Sequence, residues 1–319
     1  MQRLVTLRTS PARELIRAVT LVDWTAGHPE PTIWELGENL FETMSTLPNL
    51  QSVMCKNLLM KTEHFQLLAS RTGLRKIMLE GCTFSFDDQA PYHLEDVVLI
   101  EPRELVKVTG FAGSSFAYAA TTILNPEYLR TVKLDMPMTI ADLLQQLISM
   151  PLFEKLTSLT LSIPAKDEAA KLVAAFLERC PNLENLVLMD HGLSNNPLAG
   201  LGITALPKLK SYSGSARTLI HILPGRNIQR WTLKSGNLEF TEKSYAVHEQ
   251  WHTAEDVRAA VAAFDEASSA QIKHATFYLK SKDKELHEFL VASFKSCSDF
   301  VIHVEPSSGS ASQSDSNLP

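Results

Sequence analysis

Excess positive charge is missing from this chain: 36 Asp and Glu outnumber 30 Lys and Arg, and the formal net charge is −6. A protein built mainly for nucleic acid carries a basic footprint, so no nucleic-acid partner is expected. Cysteine is scarce too. The four present, Cys55, Cys82, Cys180 and Cys297, form no Cys-x-x-Cys pair. Their spacing suggests neither a zinc knuckle nor a disulfide framework, and a reducing compartment fits best. No segment is long and apolar enough to cross a bilayer. The N-terminus, MQRLVTLRTSPARELIR, lacks the continuous apolar core of a signal peptide. The expectation is therefore no membrane partner, and a cytoplasmic or nuclear location. Glycine is also sparse, and no phosphate loop is built from it. Phe111-Ala112-Gly113-Ser114-Ser115 lacks both the P-loop lysine and the Rossmann spacing. No cofactor is expected.

What the chain does have is 45% hydrophobic residues over 319 positions, enough to bury a sizeable core, and a repeat. One phrase recurs: an apolar residue, two others, an apolar residue, one other, an apolar residue. It reads Ile16-Val19-Leu21, Leu50-Val53-Cys55, Leu74-Ile77-Leu79, Leu94-Val97-Leu99 and Leu129-Val132-Leu134. It continues as Leu156-Leu159-Leu161, Leu183-Leu186-Leu188 and Ile228-Trp231-Leu233, with Ile272-Ala275-Phe277 weaker and Leu209-Tyr212 half a copy. From Leu129 the copies start 27, 27 and 26 residues apart, inside the roughly 20–29 residue range of leucine-rich repeats.

The last two apolar positions of each phrase are two apart, which is strand alternation. Between phrases, Ile140 to Met150 and Asp167 to Cys180 show apolar residues at spacings of three and four, which is one helical stripe. Thr139 stands where it can cap the first of these helices, and Pro151 and Pro181 end both. One strand and one helix cannot bury both faces alone, whereas stacked units form a continuous core. The spacing predicts an α/β, irregular leucine-rich-repeat solenoid of the ribonuclease-inhibitor kind. Parallel strands line the concave face and helices the convex face. It spans residues 1–305, with an insertion near 235–253 in the long gap after Ile228, and residues 306–319 form a Ser-rich disordered tail.

Strand residues between the apolar anchors point away from the core and are the candidate partner-binding surface. They are Lys76, Met78 and Glu80; Thr131, Lys133 and Asp135; Ser158, Thr160 and Ser162; Asn185, Val187 and Met189; Arg230, Thr232 and Lys234. The mixture is polar, carries both signs of charge and has a few apolar positions, which suits a protein partner. Methionines 54, 60, 78, 136, 138, 150 and 189 resemble adaptable binding surfaces, with core or turn packing expected for most.

The run Leu177-Glu178-Arg179-Cys180-Pro181-Asn182-Leu183-Glu184-Asn185-Leu186-Val187-Leu188 closely resembles the repeat of F-box leucine-rich-repeat proteins, of the irregular fungal type. Leu47-Pro48-Asn49-Leu50 and Leu206-Pro207-Lys208-Leu209 look like the same joint without the cysteine. Leu74 to Cys82 is similar to the family's strand followed by cysteine. The resemblance covers about residues 13–305. It implies a substrate-recognition subunit of a cullin-type ubiquitin ligase, in which an F-box grips the ligase adaptor and the repeats hold the target. No F-box is recognisable: repeat-like text begins by Ile16, and no apolar three-helix pattern precedes Trp24 or Trp34. Either the chain is a fragment or it stands outside the ligase system as a scaffold.

A third reading starts from His248-Glu249-Gln250-Trp251-His252. It matches H-E-x-x-H, in which a helix presents two histidines to Zn²⁺ and a glutamate to water. The residues after it, Thr253-Ala254-Glu255-Asp256-Val257, read as the cap and first turn of a helix, which leaves the motif in a polar insertion loop. Cys82 and Cys180 occupy repeat positions that bury a small residue, so structural thiols are expected there rather than nucleophiles. No catalytic or metal-binding residue is expected, and the protein target is unspecified.

Overall fold

The computed structural model describes residues 8–22, 30–60, 62–69, 71–84, 92–100, 120–136, 139–163, 167–190, 198, 200–233, 235–241, 244–250, 254–263, 272–279 and 283–304. The Ser-rich tail lies outside them. Eleven strands form one open, all-parallel sheet: β1 (Ala18–Val22), β2 (Ser52–Lys56), β4 (Lys76–Glu80), β6 (Asp96–Ile100), β7 (Thr131–Asp135), β8 (Ser158–Ile163), β9 (Asn185–Asp190), β10 (Ser211–Gly214), β11 (Arg230–Leu233), β14 (His274–Leu279) and β15 (Asp299–Val304). They lie side by side in chain order, as successive repeats must. A short parallel pair, β3 (Leu59–Met60) with β5 (Thr83–Phe84), follows two of them. The helices between strands are α1 (Glu30–Ser45), α2 (Thr62–Ala69), α3 (Ile140–Ser149), α4 (Asp167–Leu177), α5 (Ala216–Ile222), α6 (Ala254–Ala262) and α7 (Lys284–Ser293).

The expected α/β solenoid class is the one observed. Register makes the repeat literal: Val19, Val53, Ile77, Val97, Val132, Leu159, Leu186, Tyr212, Trp231, Ala275 and Phe300 stand opposite one another along the sheet. The second anchor and the residue two later face the helices. Nearly all are buried, in one core that runs the length of the array. Strands stack about 4.8 Å apart while helices need about 10 Å, so the helix side is wider and the sheet lines the inside of the curve.

The joints have their own chemistry. Asn49 Nδ2 donates to Glu14 O at 2.7 Å, and Asn182 Nδ2 donates to Glu154 O at 2.6 Å. The asparagine of Pro-Asn-Leu thus ties its repeat to the preceding one, and Lys208 in the third joint gives that up. One backbone carbonyl per repeat accepts two N–H groups from the next: Gln51 O from Arg75 and Lys76, Glu95 O from Arg130 and Thr131, Thr157 O from Glu184 and Asn185. Stacking therefore satisfies the strand entries without water.

Two local expectations need correction. Thr139 occupies the N-cap position of α3, but its side chain makes no capping bond and its Oγ1 is buried without a partner among the described residues. The half copy Leu209-Tyr212 is a full strand whose third anchor is Gly214. Tyr212 is larger than the usual leucine and fills the next pocket, where its hydroxyl donates to Ser215 O at 3.0 Å. A Cβ on Gly214 would collide with that hydroxyl and meet Leu188 O at 2.8 Å. Glycine is thus required by close approach rather than by a turn.

Candidate functional site: the inner face of the sheet

Alternation puts the residues between the anchors on the face opposite the helices. Lys76 and Arg230 are exposed there, and Met78, Glu80, Thr131, Lys133, Asp135, Ser158, Thr160, Asn185, Val187, Met189 and Thr232 are half-buried. Parallel register sets them in rows that cross the sheet: Lys76, Asp96, Thr131, Ser158, Asn185, Ser211, Arg230 in one, and Met78, Val98, Lys133, Thr160, Val187, Ser213, Thr232 in the next. Lys234 lies outside the described residues. Ser162 departs from expectation. It is fully buried, and its Oγ donates to Asp135 Oδ1 at 2.7 Å, so it orients a neighbouring carboxylate instead of meeting a partner.

The face divides in two. From β7 to β14 its centre is hydroxyl-rich, with Thr160, Ser213, Thr232 and Thr276 in one row interrupted by Lys133 and Val187. From β2 to β6 the same row is apolar: Met54 stands opposite Met78, and Met78 opposite Val98. Ile100 extends the patch beside Glu80. All four apolar side chains are half-buried. Around them sit Lys76, Asp96 and the Lys56–Glu80 pair, whose Nζ and Oε1 are 2.8 Å apart. Sequence reasoning selected Met78 from this patch and treated most other methionines as packing residues. Val98 and Ile100 were passed over because Asp96–Ile100 reads as a near-continuous apolar run, in which the outward positions look like core. Counting outward positions in every phrase, and not only the polar ones, would have found them.

The thiols are not part of this face. Cys55, Cys82 and Cys180 are buried. Burial raises all three, Cys82 to about 11 and Cys180 to about 12. Cys82 Sγ donates to Cys55 O at 3.3 Å and Cys180 Sγ to Phe176 O at 3.4 Å, as in hydrogen-bonded structural thiols. Cys297 is half-buried. Iodoacetamide at neutral pH is therefore expected to modify Cys297 in the native protein and the other three only in denaturant, as read by peptide mass spectrometry. Rapid native labelling of Cys82 or Cys180 would contradict their burial.

The first three residues of the His-Glu-x-x-His segment, His248 to Gln250, lie on a strand and not in a loop. Ser235–Thr241 (β12) and Ser244–Gln250 (β13) pair as an antiparallel hairpin, with His248 opposite Asn237 and Glu249 opposite Gly236. The zinc-peptidase pattern needs its first histidine and its glutamate on one helical turn, and here both lie on a strand; His252 is outside the described residues. Among the described residues no three His, Cys, Asp or Glu side chains are grouped to hold a metal. No helix among them is long and apolar enough to cross a membrane. No protein-family model matches the chain, and no curated protein matches it.

Proposed function

We propose that this chain is a protein-recognition module that holds its partner on the inner face of the sheet. The observation that carries the reading is the apolar row Met54, Met78, Val98 with Ile100, framed by Lys76, Asp96 and the Lys56–Glu80 pair. A central apolar patch inside a charged rim is the usual anatomy of a protein interface, and methionine adapts to an irregular partner surface. Mixed charge at the rim favours a partner segment carrying both signs rather than a polyanion. No cofactor, nucleic acid or membrane enters this reading, and it is one of binding rather than catalysis.

The finer proposal is that the partner is a target delivered to a cullin-type ubiquitin ligase. It rests on the resemblance of the Leu177–Leu188 run to the F-box repeat. The stand-alone scaffold uses the same surface without the ligase adaptor. Affinity purification from source cells separates them, with Met54→Glu/Met78→Glu as control. These changes place carboxylates on a half-buried outward row, so the fold should persist, while capture of true partners should fall at least tenfold, about 1.4 kcal/mol. If a cullin adaptor is captured by the native chain, the ligase reading holds. If partners are captured without it, the ligase part fails. If the double variant captures the same proteins equally well, the inner face is not the site.

A further inference from the structure

We infer that two copies of the chain pair edge to edge through β15, antiparallel about a two-fold axis at Val301, so that the two sheets become one. The sheet order ends at β15, and among the described residues no strand pairs with its outer side. Ser298 N and Asp299 N donate to Lys273 O, and β14 pairs with β15 in parallel. In a parallel strand, successive residues bond alternately to the two neighbours. Phe300, Ile302 and Val304 thus direct their N–H and C=O groups outward. Such an edge is normally blunted with lysine, proline or a bulge. Asp299–Val304 reads Asp-Phe-Val-Ile-His-Val and has none of these.

The order of side chains selects the partner and the register. A two-fold antiparallel pair must set outward-bonding residues against outward-bonding residues, so a residue sits on the axis. With Val301 there, Phe300 faces the copy's Ile302 in a hydrogen-bonded pair. Asp299 faces the copy's His303, and Val301 faces itself, in the closer non-bonded pairs. The strand is self-complementary in bulk, and it sets each carboxylate opposite an imidazole whose ring N–H can donate to it. An axis at Ile302 would bring Asp299 against Glu305, and an axis at Phe300 would leave both Asp299 and His303 opposite uncharged groups.

The surroundings agree with this register. On the helix side Phe300 packs on Phe294 and Phe277, with ring centroids 6.0 and 5.8 Å apart, and its open flank is where the copy's Ile302 would sit. Val291 on α7 and Val301 on β15 are large apolar side chains left 47% and 37% exposed at this end of the array. On the inner face Asp299 and His303 are already held by β14. His303 stacks on Tyr278 at 4.5 Å, and Asp299 Oδ2 lies 3.3 Å from His274 Nδ1. Residues 305–319 complement this edge poorly, since they are Ser-rich and carry one leucine as their only large apolar side chain.

Sedimentation equilibrium of the full chain tests the proposal. The native protein should be a dimer. Val301→Lys sets two ammonium groups against each other on the axis and should weaken the dimer on the order of 100-fold. His303→Glu sets carboxylate against carboxylate, twice by symmetry, and should weaken it roughly tenfold, while Asp299→Lys removes the carboxylate acceptor opposite the imidazole and should weaken it less. The Asp299→Lys/His303→Glu double variant sets ammonium against carboxylate and should recover most of the affinity, which mere damage to the fold would not. A monomeric native chain overturns the proposal, as does a dimer indifferent to Val301→Lys. Open-ended polymers would mean β15 stacks on β1 of the next copy, and they overturn it too. If Val301→Lys does not fold, the charge swap alone decides: no recovery in the double variant sinks the pairing.

Discussion

Replacing Arg226 with methionine is expected to cost about 3–5 kcal/mol of unfolding free energy, from several buried carbonyls that lose their donor at about 1–3 kcal/mol each. Arg226 is 4% exposed, deep in the joint between β10–α5 and β11. No carboxylate pairs with it among the described salt bridges. Its charge is met by carbonyls: Nε donates to Ala205 O at 2.7 Å, Nη2 to Gly202 O at 2.6 Å, and Nη1 to Ile222 O at 2.7 Å and Pro224 O at 3.1 Å. Ile222 closes α5, whose last carbonyls have no intrahelical partner and carry the negative end of the helix dipole. One guanidinium thus caps a helix and ties down the loop before β10. Methionine would keep much of the volume and take the donor from Ala205 O, Ile222 O and Pro224 O, while Gly202 O keeps the Ala205 N–H at 2.9 Å. Lysine should rescue little, because one ammonium cannot span carbonyls spread over so wide a fork.

The loss should also be local. In a solenoid, stability is close to a sum over repeats and their interfaces. Hydrogen exchange in the methionine variant should accelerate in β10, α5 and β11 well before β2 and β4. Denaturant titration with exchange mass spectrometry checks both parts. A loss under about 1 kcal/mol would mean that water reaches those carbonyls once the side chain is gone.

Arg226 also shows what the sequence leaves hidden. The repeat was legible because burial acts through spacing: two anchors per strand must alternate, and one helical stripe must face them. Ten of the eleven strands follow from that rule. The eleventh, β15, carries the same phrase as Cys297-Phe300-Ile302 and escaped notice because it opens on cysteine instead of leucine. Its edge, which carries the self-pairing proposal, stayed unread with it. Arg226 looks like one more surface arginine, because a cation solvated by backbone carbonyls has no acidic partner to mark it. Gly214 likewise reads as a broken copy until Tyr212 is seen filling the space beside it. The inner face was only partly legible for a related reason. Alternation says which residues point inward, but only parallel register across steps of 24 and 20 residues puts Met54, Met78 and Val98 in one row.

Raising the pH from 9 to 10 should cost about 3 kcal/mol of stability, the slope then steepening towards about 4 kcal/mol per pH unit, from three buried thiols at about 1.4 each. Cys55, Cys82 and Cys180 are all raised, with burial the largest cause in each. Cys82 is partly offset by hydrogen bonds to backbone at Leu58, Glu80 and Asn57 and still rises to about 11; Cys180 rises to about 12. In the unfolded chain all three titrate near the ordinary 9.0. Below that pH both states hold the protons, and the full stability is present. Above it the unfolded chain releases three protons that the folded chain keeps, so stability falls with rising pH. The fall slackens as Cys82 begins to ionise in the folded state near 11, then again for Cys180 near 12. Tyr92, raised by burial above its ordinary 10.0, steepens the decline above pH 10. Denaturant unfolding at closely spaced pH values under reductant measures the slope. Cys180→Ala supplies the control. It will lower stability at neutral pH through lost packing, but that shifts the curve without tilting it. The slope between pH 9 and 10 should drop by about one third, one proton in three. An unchanged slope would assign the alkaline transition to groups other than the thiols beneath the sheet.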